Sequence, residues 1–227
     1  MIQKIIHQIY GIFDDGVDIK DISEFRESTI KTEKYCIEND IQYKMWNLSK
    51  CEKLLDDYPQ YKQLWNDFTH KIQRADFIRY LILHKFGGIY LDCDVHPIRS
   101  MEQLFNEDIF FSVWASDEKQ KPYNAIFGAS KNNPVLEDIS KHCQDSFYEK
   151  IKIEIYKTWT GRFVFHTTGH HMIQRVLKMN HNKGKVNLIA CVSVWNNNKG
   201  ICDIPDANKA VFFDSNRSYW YNESTGK

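Results

Sequence analysis

The 227-residue chain has no Cys-x-x-Cys pair among its six cysteines, no stretch rich in proline, glycine or serine, no long apolar run and no net charge. Each absence excludes something. Without paired cysteines there is neither a zinc ribbon nor a thioredoxin-like redox motif. Residues 1–7 enter a strand-like pattern at once, with no apolar core of a signal peptide and no membrane span, so a cytoplasmic chain with reduced thiols is expected. Asn-x-Ser sequons at Asn47, Asn216 and Asn222 are too short to outweigh that missing signal. Thirty basic residues balance thirty acidic ones, so no nucleic-acid footprint exists and any anion site must be local. With no linker to divide it, the chain 1–227 reads as one domain, large enough to bury a substantial core.

What is present is an alternation of helix and strand signals. Residues 4–10 suit a buried, β-branched strand closed by Gly11 and Asp14-Asp15-Gly16. Helical character over 22–38 precedes a strand at 41–46, then two short helices on either side of Pro59. The clearest segment is 71–86, where Ile72, Ala75, Ile82 and Phe86 recur at helical spacing and Gly87-Gly88 supplies the stop. Ile89-Tyr90-Leu91 then forms a short buried strand. Downstream, strands are expected at 109–114, 125–129, 186–194 and 210–213, and helices at 134–147 and 168–179. This order predicts a layered α/β domain with a mostly parallel sheet flanked by helices.

Chemistry concentrates where the short strand ends, in Asp92-Cys93-Asp94. Two carboxylates at the C-terminal end of a buried strand sit where open α/β sheets bind ligands, and a turn at His96-Pro97 would let both face one ion. Manganese or magnesium commonly joins one or two carboxylates to substrate phosphates, so the pattern suits a metal-diphosphate site. Asp76 and Arg79, one turn apart on the preceding helix, share a face. They are suited either to gripping a sugar and steadying a diphosphate or to a structural ion pair tying helix to sheet.

The run from Arg74 to Val95, with Ala75-Asp76, Arg79-Tyr80, an apolar helix and Gly87-Gly88-Ile89-Tyr90-Leu91-Asp92-Cys93-Asp94, resembles the signature of glycosyltransferases with a DXD sugar-binding region. That group includes yeast-type mannosyltransferases and the catalytic domains of large clostridial glucosylating toxins. Lys4 to Tyr10 is similar to the family's opening strand, with Tyr10 in place of tryptophan, and Asn124 to Pro134 is similar to the segment after its central strands. The resemblance implies a GT-A fold, a UDP- or GDP-linked sugar donor, and a glycan, lipid or protein hydroxyl as acceptor. It also implies transfer of a hexose with retention of configuration. Asp76, Arg79 and Asn124 become the expected catalytic residues, and His7, Gln8, Tyr10, Tyr90, Asp92 and Trp220 the expected donor contacts.

Metal ligation is expected from Asp92 and Asp94, completed from the C-terminus by Asp214 and Ser218. There the sequence departs from its relatives, with Asp214 where they carry histidine and Tyr219 inserted before Trp220. Thr167-Thr168-Gly169-His170 is similar to a Thr-Gly-Pro turn with histidine replacing proline. Adjacent histidines diverge on a helix, which argues against His170-His171 sharing an ion. Two rivals stand beside the transferase. One is a haloacid-dehalogenase-type phosphatase using Asp92 and Asp94, although His96 occupies the position where that class needs Thr or Val. The other is a non-catalytic carbohydrate- or nucleotide-binding module.

Overall fold

The computed structural model describes residues 1–12, 23–114, 121–158, 160–179, 182, 184–193 and 210–214. Among the described residues, eight strands form one sheet: β1 (Ile5–Ile9), β2 (Gln42–Trp46), β3 (Gly88–Leu91), β4 (Val95–Pro97), β5 (Ile109–Trp114), β6 (Pro122–Ala129), β7 (Asn187–Ser193) and β8 (Phe212–Asp214). Their order is β2-β1-β3-β6-β5-β7-β8-β4. The β2-β1-β3 and β5-β7-β8 runs are parallel within themselves, and β6 and β4 are antiparallel to their neighbours. The helices are α1 (Ser23–Glu38), α2 (Leu48–Leu54), α3 (Lys62–Asp67), α4 (Lys71–Phe86), α5 (Pro134–Lys150), α6 (Glu154–Thr158), α7 (Thr160–Thr167) and α8 (His170–Leu177). Among the described residues, no helix is long and apolar enough to cross a membrane.

Period-two alternation divides the core between the faces of the sheet. Tyr90, Phe111 and Phe127 join a cluster with Phe77, Ile78 and Leu81 of α4 and Leu136 and Ile139 of α5. Their neighbours Ile89, Leu91, Phe110 and Ile126 point the other way, to a second cluster with Cys36 of α1. Because α4 is covered by the sheet on one side and by helices on the other, ten of its residues from Gln73 to Leu83 are buried. That is wider than one amphipathic stripe. Its N-terminus is closed reciprocally: the His70 side chain accepts from the Gln73 backbone, and Gln73 accepts from the His70 N–H.

Three local expectations differ from the structure. The chain reverses at Asp92 to Val95, where the Val95 N–H donates to the Asp92 carbonyl at 3.0 Å, so His96 and Pro97 lie in strand β4 rather than in a turn. Pro97 is tolerated there because β4 ends the sheet. Helices α6 and α7 leave no clear sequence signal, because Thr160–Thr167 carries a glycine, aromatics and Val164, which favour neither period. The helix expected from residue 168 begins at His170, after an extended Gly169.

Gly88 has φ +106°, and a Cβ on it would lie 2.6 Å from the Ile5 carbonyl oxygen and 3.0 Å from the His7 ring. It is glycine because β1 and β3 pack there backbone to backbone. Gly88→Ala should therefore lower unfolding free energy by about 2–3 kcal/mol or more. Urea denaturation measures this, and a change within experimental error would contradict the packing.

Candidate active site

The site lies where the direction of the sheet changes, between parallel β3 and antiparallel β6. The end of β3 delivers Asp92, whose N–H donates to the Ala125 carbonyl at 2.8 Å. The residue before Ala125, Asn124, thus sits beside it. From the helix layer α4 delivers Asp76 and Arg79, and the turn before α8 delivers Thr168.

Arg79 is the hub. It is 4% exposed, with Nη2 3.1 Å from Asp76 Oδ1 and Nη1 3.2 Å from Asp92 Oδ1. Nη1 also donates to the Asn124 carbonyl at 2.8 Å and Nε to the Ala75 carbonyl at 3.1 Å. Its guanidinium carbon stands 4.6 Å from the centroid of the Tyr90 ring. Burial opposes its charge, but Asp92, Tyr90 and Asp76 together raise its pKa above the ordinary arginine value. The guanidinium is permanently charged and fully enclosed.

Asp76 is equally committed. Oδ1 accepts from Asn124 Nδ2 at 2.8 Å and Oδ2 from Thr168 Oγ1 at 3.0 Å. Asn124 Nδ2 also donates to the Tyr80 hydroxyl, which itself donates to the Thr168 carbonyl at 2.7 Å. Burial pushes the Asp76 carboxyl above its usual range while Arg79 pulls it down. The same two effects act on Asp92, whose Oδ1 further accepts from the Tyr90 hydroxyl at 2.7 Å. Both side-chain contacts of Asp92 fall on Oδ1, and its side chain remains 33% exposed. Oδ2 has no partner among the described residues.

Other expected residues fall into distinct places. Gln8 lies under the loop: its Nε2 donates to the Asp92 carbonyl at 3.1 Å, and its Oε1 accepts from the Tyr43 hydroxyl at 2.7 Å. Tyr90 is 2% exposed and carries Arg79 on its ring instead of offering a surface to ribose. Tyr10 is half-buried at the end of β1, 6.3 Å edge-on from Phe25. His7 is fully buried, and its expected donor contact gives way to a structural tie. The Trp46 indole can only donate, so its 3.0 Å contact makes His7 Nδ1 an acceptor, and Nε2 donates to the Gly87 carbonyl at 2.9 Å. No ring nitrogen is free for a ligand.

Asp94 is buried in the turn, and Asp214 is buried opposite Val95 across the β4-β8 pair. Both carboxylates act on the Cys191 thiol, whose pKa burial raises first of all. Ser218 and Trp220 lie outside the described residues. Among the described residues, no group of three or more His, Cys, Asp or Glu side chains converges as metal ligands. The donor set nonetheless suits a hard cation: Asp76 and Asp92 share one guanidinium, Asp92 keeps an oxygen without a described protein partner, and Asp94 follows two residues on. His170 and His171 do not diverge as a regular helix implies. Their ring centroids are 4.4 Å apart, and His171 Nδ1 is 3.1 Å from His166 Nε2.

Thr168 and Tyr80 complete the network beyond the residues expected from sequence. The signal for Tyr80 was its place beside Arg79 in the motif, and for Thr168 the Thr-Gly turn. What neither spacing nor motif conveys is that a turn 92 residues downstream closes onto Asp76.

Residues 7–111 match the family model described as glycosyltransferase sugar-binding region containing DXD motif. Inositol phosphoceramide mannosyltransferase 3 of Schizosaccharomyces pombe is 32% identical over 60% of this chain and 35% of its own length. Uncharacterized glycosyltransferase L373 of Acanthamoeba polyphaga mimivirus is 28% identical over 63% of this chain and 55% of its own. The chain thus spans about a third to a half of the length of these relatives. Among solved structures, PaToxG Glycosyltransferase superposes with a TM-score of 0.51 at 18% identity, over 78% of this chain and 69% of that one. The fold is the GT-A type.

His7 supplies a pH test. Burial holds its pKa down to about 3, against 6.5 when free, so the folded state keeps it neutral while the unfolded chain protonates. Its contribution is whole above pH 6.5 and is lost as pH falls through 6.5 toward 3, at about 1.4 kcal/mol per pH unit. Urea midpoints from pH 7 to 5 should fall less steeply in His7→Gln than in the parent. Equal slopes would place a protonatable His7 in solvent. A second outcome follows from the hub: Arg79→Met strands two carboxylates and should cost about 3–5 kcal/mol, read from the same denaturation curves.

Proposed function

We propose that the chain, as one domain, is a metal-dependent glycosyltransferase that moves a hexose from a UDP- or GDP-linked sugar to a hydroxyl acceptor with retention of configuration. The observation that carries this reading is the Asp76-Arg79-Asp92 network at the switch point of a GT-A sheet, inside a stretch matching the DXD sugar-binding region. The name of the Schizosaccharomyces pombe relative, an inositol phosphoceramide mannosyltransferase, supports a mannose-like hexose and a lipid acceptor. A cytoplasmic location belongs to the same reading, supported by the five cysteines among the described residues, which are free and buried.

In this reading Asp92 and Asp94 would hold manganese or magnesium, with Asp214 and Ser218 as candidates to complete the shell. Such an ion, when bound, neutralises charge growing on the departing diphosphate. The chain's own residues do the rest. Asp76 and Asn124, fixed by Thr168 and Tyr80, orient the sugar hydroxyls. Tyr10 and Trp220 are the candidate stacking surfaces for the base. Arg79, being enclosed, acts through Asp92: it fixes one oxygen so that the other keeps a constant direction. It is a positioning residue and does not reach the diphosphate itself.

Asp94→Asn should leave the melting temperature nearly unchanged and reduce donor turnover by more than about a hundredfold. The check is a hydrolysis and transfer panel of UDP- and GDP-sugars with and without manganese, with the product anomer read by NMR. Near-normal turnover in Asp94→Asn would overturn the metal assignment. Manganese-dependent nucleotide binding with no turnover of any donor would favour a binding module.

A further inference from the structure

The metal-facing turn has one more unusual property: its backbone is held from behind by side chains, carbonyl by carbonyl. Gln8 Nε2 donates to the Asp92 carbonyl at 3.1 Å. Ser28 Oγ donates to the Asp94 carbonyl at 3.2 Å, and Thr32 Oγ1 to the Val95 carbonyl at 3.2 Å. In the same turn, Cys93 Sγ donates outward to the Ile9 carbonyl at 3.2 Å. Gln8, Ser28 and Thr32 are all buried. Ser28 and Thr32 stand one helical turn apart, so α1 presents both hydroxyls on one face to the turn.

Ser28 has a single hydroxyl proton, and it goes to the Asp94 carbonyl, which cannot donate. The 3.2 Å contact between Ser28 Oγ and His96 Nδ1 is then satisfied by the imidazole N–H donating to the serine oxygen. One hydroxyl thereby joins the residue carrying the second DXD carboxylate to the strand that follows it. β4 in turn pairs with β8, placing Val95 opposite Asp214.

We infer that Ser28, with Thr32 beside it, is a positioning residue for the DXD turn, fixing the Asp94 peptide so that its carboxylate is presented to the metal in one orientation. This rests on the metal-dependent reading above. Side chains that orient ligands from behind typically change metal affinity when removed, and leave substrate recognition less affected.

The test uses Ser28→Ala, Thr32→Val, which keeps the shape and removes only the hydroxyl, and Ser28→Thr, which keeps the hydroxyl. Amide hydrogen exchange of residues 92–97, measured without metal or nucleotide, should be faster in the first two variants than in the parent. The manganese concentration giving half-maximal donor hydrolysis should rise about tenfold in Ser28→Ala, with donor KM at saturating manganese unchanged. Ser28→Thr should return it toward the parent value. Unchanged exchange in 92–97, or manganese half-saturation within twofold of the parent, would overturn the inference even if the melting temperature fell. A parent protein that turns over no donor would sink the transferase reading alone, and the exchange experiment would still decide whether α1 holds the turn.

Discussion

Everything in the site hangs on one enclosed guanidinium. Arg79 is paired with Asp76 on its own helix and with Asp92 at the end of β3, so a single charge locks the helix layer to the sheet layer. Taking that charge out of water is costly, and its retention requires that every donor be used. Each of its three nitrogens has a described oxygen partner, drawn from two carboxylates and two backbone carbonyls, and the Tyr90 ring lies against the guanidinium. A hydrophobic replacement could pack as well, but it would leave Asp76 and Asp92 mutually repelling and free to turn.

That constraint explains how the carboxylates differ in role. Asp76 is held in one orientation, with one oxygen accepting from Asn124 and the other from Thr168. Asp92, with one oxygen committed to Arg79 and Tyr90, offers the other outward. Beneath them, His7 and Trp46 form a neutral, dry tie between β2, β1 and the start of β3. Rigid support under a charged rim is what electrostatic stabilisation of a leaving diphosphate requires.

Much of this was legible in the sequence, for identifiable reasons. The span Lys71–Phe86 showed as a helix because its apolar spacing and glycine stop agree, and Asp92 was placed at a strand end because Gly88–Leu91 is short and wholly apolar. The site's membership from Asp76 to Asp94 was legible because those residues are close in sequence. Harder to read was direction: His7 and Tyr90 belong to the motif yet face inward, because β-strand alternation near a glycine pair puts them against the core. Contacts that span the chain, such as Thr168 on Asp76 and Ser28 on Asp94, leave no periodic trace. The strand at Val95–Pro97 was hidden because its partner, Phe212–Asp214, lies more than a hundred residues away.

The central claim is that this rim of carboxylates exists to join a divalent ion to a nucleoside diphosphate. Isothermal titration of the protein with UDP and GDP, in the presence and absence of manganese, tests it most directly. The account predicts that one of the two nucleotides binds with manganese and loses most of its affinity without it or in Asp92→Asn. Binding of equal strength with and without the metal, unaffected by that substitution, would contradict it.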